Sequence, residues 1–70
     1  MSPQKQAQTF AEITNELEQA LKHSQICESH FQAGEVPRGC AHAFALEGHL
    51  ENVMALLKQV KVLHATMAQV

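Results

Sequence analysis

Ala33-Gly34-Glu35-Val36-Pro37 divides a 70-residue chain into two stretches that each read as one long helix, and this short segment decides the fold. Glycine takes the left-handed conformation found just past a helix C-terminus at little cost, so Gly34 marks an end. Proline has a φ suited to the first turn of a helix and cannot continue one from upstream, so Pro37 marks a beginning. A connection this short makes the flanking helices antiparallel neighbours. The expected fold is all-α: an antiparallel two-helix hairpin spanning residues 10–70, with helices over about 10–33 and about 38–69 and a turn at 34–37.

Upstream of the turn, Thr9 to Ala33 contains neither proline nor glycine and is rich in Glu, Gln, Ala, Leu and Lys, which favour helix. Thr9 and Glu12 have the spacing of a capping box, in which hydroxyl and carboxylate each satisfy a free backbone donor, so the helix is expected to start there. Ser2-Pro3 offers an earlier start. Residues 1–9 are accordingly expected to be a flexible polar segment or a short helix. Downstream, Gly39 and Gly48 each cost about 1 kcal/mol relative to alanine but do not stop a helix.

Steps of three and four residues run through both stretches. Helix one places Phe10, Ile13, Leu17, Ala20, Ser24, Cys27 and Phe31 on one line, and helix two places Ala43, Leu46, Leu50, Val53, Leu57, Val60, His64 and Met67 on another. These are coiled-coil-like seams, expected to face each other across the hairpin. Helix two carries a second row, Leu56, Leu63 and Val70 with Val62 adjacent, which continues upstream as His42 and His49. Leu63, Met67 and Val70 also lie beyond the reach of helix one's last large apolar side chain, Phe10. An apolar row without an intramolecular mate marks an interaction site, so Leu56, Val62, Leu63, Met67, Val70 and His49 are the expected partner-binding residues.

Several function classes do not fit. Five basic side chains against seven acidic ones give a net charge of −2, and Lys5, Lys22, Arg38, Lys58 and Lys61 are scattered, which is no footprint for nucleic acid. Lys58, Lys61 and His64 interrupt the most apolar stretch, so no membrane span is expected. Two cysteines do not make a disulfide framework, and the polar beginning lacks the pattern of a secretory signal; a cytoplasmic protein is expected. Cys27-x-x-His30 and Cys40-x-His42 flank the turn, but Cys-x-His is tighter than usual zinc pairings, so no metal is expected. Cys27 reads as a small apolar side chain and the histidines as surface or rim residues. His42 and His49 lack the following basic residue of a phosphotransfer histidine, and no catalytic set stands out. The expectation is a non-enzymatic protein that needs no cofactor. A chain this short buries little surface of its own and gains stability from a partner.

The Glu- and Leu-rich first helix, the Ala33-Gly34 turn with Pro37, and Ala45-Leu46-Glu47-Gly48-x-Leu50 leading into Met54-Ala55-Leu56-Leu57 resemble a known family. They are similar to the small co-chaperones of type III secretion needle subunits, the YscE/PscE type, over about Leu17 to Val60. The distance from Pro37 to Ala45 is about a helical turn shorter than in that family, and Phe44 stands where its post-turn aromatic is nearest. The resemblance implies a cytosolic hairpin that binds a larger chaperone of tetratricopeptide-like repeats, and through it the needle subunit, kept monomeric before export. The alternative is a homodimer that completes a four-helix bundle and acts as a regulator or adaptor.

Overall fold

The computed structural model describes residues 3–68, with side chains up to residue 65. It consists of two helices, α1 (Pro3–Gln32) and α2 (Val36–Ala68), packed as a hairpin. No strand occurs among the described residues. The molecule is a flat rod of 55 × 18 × 12 Å, one helix long, two helices wide and one helix thick.

The turn follows from the local chemistry. Gly34 has φ +77°, the left-handed value at which a Cβ would clash with the backbone. The Gly34 N–H donates to the Phe31 carbonyl (3.0 Å) and the Glu35 N–H to the His30 carbonyl (2.8 Å), which is the Schellman pattern that closes a helix C-terminus. The Gly39 N–H then donates to the Glu35 carbonyl (3.0 Å), the first bond of α2. Val36 and Pro37 occupy the opening turn, where a missing N–H costs nothing. Only Ala33, Gly34 and Glu35 lie between the helices.

At its beginning α1 differs from the expectation. Helix runs unbroken from Pro3, so Thr9 is an interior residue, and its hydroxyl donates to the Lys5 carbonyl one turn back (3.2 Å) instead of capping. Proline at the first helical position provides the start.

The core is narrow. Ile13, Ala20 and Val53 are at most 7% exposed, and Gly39 is buried nearer the turn. The centre line of α1 is Ile13, Ala20 and Cys27, and that of α2 is Gly39, Leu46, Val53 and Val60. Gly39 has no side chain because Phe31 lies on it: a Cβ there would stand 2.5 Å from the Phe31 ring. Cys27, half-buried, donates its Sγ–H to the Gly39 carbonyl (3.3 Å). Gly48, in contrast, faces open space.

Candidate functional site

Two rows of side chains flank the centre line, and they have opposite chemistry. Along one edge of the hairpin, four histidines from the two helices interleave. The His23 and His42 rings face each other with their Nδ1 atoms 3.0 Å apart and ring centroids 5.2 Å apart. His49 stacks on His23 at 5.4 Å and His30 stacks on His42 at 5.5 Å, each pair inclined by 20°. The spacing that builds this is simple: His23 and His30 are seven residues apart on α1, His42 and His49 seven apart on α2, and two turns of helix return a side chain to the same face.

Carboxylates stand at both ends of this ladder. His49 Nδ1 donates to Glu16 Oε2 at 2.6 Å, and Asn52 Nδ2 donates to the same oxygen at 3.3 Å. These bonds to His49 and then Asn52 hold the Glu16 carboxyl below the ordinary carboxylate range. At the turn, Glu35 Oε2 lies 3.8 Å from His30 Nδ1 and 2.9 Å from Arg38 Nη1. All four ladder histidines are half-buried, whereas His64 is exposed. They are therefore interface residues, not the rim residues expected from composition. Among the described residues, no three His, Cys, Asp or Glu side chains converge as metal ligands would.

The opposite edge is apolar. Phe10, Leu17 and Phe31 on α1 are 46–47% exposed, and Leu50 on α2 is 44% exposed. The register set by His23–His42 and Glu16–His49 puts Leu17 level with Leu50 and Phe10 level with half-buried Leu57. Leu21 and Met54, further round the same side, are 59% and 66% exposed. These side chains widen the apolar edge near its middle, while Ser24 interrupts it between Leu17 and Phe31.

The residues expected in the seam thus divide. Ile13 and Val53 are buried, and Leu46, Leu57 and Val60 half-buried, along the line between the helices. Phe10, Leu17, Phe31 and Leu50 are displaced to the exposed edge, while His64 is exposed and Ser24 and Ala43 sit on that same edge.

The residues expected to face a partner divide too. His49 points at α1 and holds Glu16, and Leu56 is half-buried against a groove lined by Glu12, Asn15, Glu16 and Asn52. Val62 and Leu63 are exposed, and they share a shallow apolar depression with Lys5, Ala55 and the stem of Lys58. The side chain of Met67, and Val70, lie outside the described residues.

One physical reason accounts for the exchange. Turned inward, Glu16 bonds His49, His23 bonds His42 and the rings stack on one another, so the polar side chains that line the interface have partners there. The signal was present in the sequence as two His-x6-His spacings, one per helix. Among the described residues, no helix is long and apolar enough to cross a membrane. No protein-family model, curated protein or solved structure matches the chain.

Proposed function

We propose that this chain is a non-enzymatic adaptor that seats its apolar edge on a larger helical-repeat chaperone in the cytoplasm, in the manner of the type III secretion needle co-chaperones that its sequence resembles. In that role it stabilises the chaperone that keeps the needle subunit monomeric before export. The observation that carries the reading is the exposure of Phe10, Leu17, Phe31, Leu50, Leu21 and Met54 on one side of a hairpin whose buried core, among the described residues, is three apolar residues and a glycine. Side chains of that size each stabilise a complex by roughly 1.5 to 3 kcal/mol when water is removed from them. A groove between repeat helices supplies the matching concave surface, read by anchors at helical spacing. Binding of the folded form then adds to the hairpin's own stability by mass action.

A homodimer is the second reading, favoured by the pairing of Leu17 with Leu50 and Phe10 with Leu57 along one edge. A two-fold related copy set edge to edge would bury both and complete a four-helix bundle.

Affinity capture of the tagged chain from its native cells, beside sedimentation of the purified protein, tests both. The expected outcome is a stoichiometric complex with a repeat chaperone and the needle subunit, lost in Leu17→Glu and Leu50→Glu and retained in the exposed polar control Glu51→Gln. Circular dichroism establishes that the variants remain helical. A dimer dispersed by the same two changes, with no chaperone captured, would replace the first reading by the second. Undiminished capture by both helical variants would remove the apolar edge from any binding role.

A further inference from the structure

We infer that the histidine ladder makes the hairpin acid-labile, its two helices parting as the pH falls from about 7 to about 5, where free histidine takes up its proton. The central contact dictates this. Nδ1 of His23 and Nδ1 of His42 are 3.0 Å apart, and a hydrogen bond at that distance requires one nitrogen to carry a proton and the other to accept it. Protonating the accepting ring replaces the bond by two facing N–H groups, and leaves like charges in contact once both rings are cationic.

The groups around the pair sharpen the effect. From α1, His30 stacks on His42, and Cys27 directs its thiol proton to the Gly39 carbonyl. From α2, His49 stacks on His23. The outer rings have carboxylates to share a proton with: Glu16 beside His49, and Glu35 beside His30, with Arg38 competing for Glu35. Neither Glu16 nor Glu35 bonds an inner ring. Each inner ring is therefore stacked on a ring that can itself carry charge, with no carboxylate bonded to it to offset a second charge.

The sign is set by the inner pair. In the unfolded chain His23 and His42 are far apart and protonate without facing N–H groups or mutual repulsion, whereas only the outer rings keep a carboxylate beside them in the fold. Acid then favours the opened state, because that state binds more protons. The same register holds Leu17 level with Leu50, so the apolar edge comes apart together with the ladder.

Thermal melts of the unaltered protein between pH 7.5 and pH 5.0 test the inference. The expected result is a Tm lower by about 5 to 10 °C at the acid end, the size of roughly one proton's worth of linkage in a domain this small. The double variant His23→Asn/His42→Asn, whose amides can bond without titrating, should lose at least half of that dependence. His64→Asn, outside the ladder, should keep all of it.

Equal pH dependence in the double variant and the parent, or a parent Tm that is flat or rises on acidification, would overturn the proposal. A measurement that needs no variant is 15N NMR of the histidine rings at pH 7.5. One of His23 and His42 should carry its proton on Nδ1, and that assignment should vanish on acidification. Two rings both protonated only on Nε2 would mean that the central bond does not exist.

Discussion

The two edges of the hairpin are built from the same helices, at the same spacing, and end in opposite situations. On one edge lie Glu16, His23, His30, His42 and His49, polar groups turned inward that hydrogen-bond or stack on one another. On the other lie Phe10, Leu17, Phe31 and Leu50, large apolar groups left nearly half in water. In a hairpin one helix thick, only the centre line can be fully covered, so each flank must be either self-sufficient or in need of another surface. The ladder is self-sufficient because its members hydrogen-bond and stack across the helices. The apolar edge has no such internal solution, since burial of apolar area requires something to be buried against.

The largest test of this contrast sets the centre line against the edge. Ile13→Ala removes a side chain that is 4% exposed and should cost about 2 to 4 kcal/mol in denaturant melts, whereas Leu17→Ala, four residues along and 46% exposed, should cost about 1 kcal/mol. Equal losses would mean that Leu17 is covered in solution, by a second copy or by a different rotation of α1.

A smaller test uses the two glycines of α2. Gly48→Ala adds a methyl into open space and should stabilise the hairpin by about 1 kcal/mol through helix propensity alone. Gly39→Ala has the same propensity gain, but its methyl would displace the Phe31 ring, so its melting midpoint should stay well below that of Gly48→Ala. A Gly39→Ala variant as stable as Gly48→Ala would show that Phe31 is not anchored on the glycine.

The smallest effect lies at the ladder's end. The bonds from His49 and Asn52 lower the Glu16 carboxyl from its ordinary value of 4.5, so Glu16 contributes stability that is complete above that value and is lost as the pH falls below it towards the folded-state value. Glu16→Gln should abolish this component. Its stability should fall less steeply than the parent's below pH 4.5. A parent and variant with parallel curves there would break the Glu16–His49 link.

Both helices, the Gly34 turn and the centre line could be read from the chain, because each rests on local signals: absence of breakers, a glycine–proline punctuation, and apolar residues recurring every three or four positions. Ile13, Ala20, Cys27, Leu46, Val53 and Val60 lie where that period puts them. The choice of flank could not be read in the same way. A stripe of period three and four has a row on either side, and hydrophobicity alone favours turning Phe10, Leu17 and Leu50 inward over Glu16, His23 and His49. What reverses that preference is a set of pairings 19 and 33 residues apart, invisible to any local window. The start of α1 was obscured for a related reason: Thr9 and Glu12 have capping chemistry, but a helix already running from Pro3 converts the cap into an interior turn.

The tightness of the turn bears on how the molecule assembles. With the Schellman bonds made at Gly34 and Glu35, the cross-helix contacts follow in order of sequence separation: Cys27 to Gly39 over 12 residues, His23 to His42 over 19, Glu16 to His49 over 33. Each step closes a loop only modestly longer than the last, and the entropy of closure rises slowly along such a series. The hairpin can therefore zip from its closed end, meeting the directional histidine contacts before Ile13 and Val53 come together. In that sequence the polar rungs act as a ratchet for register: a slip of one residue would misalign every ring pair, so the helices are aligned by hydrogen bonds before the less discriminating apolar contacts lock them.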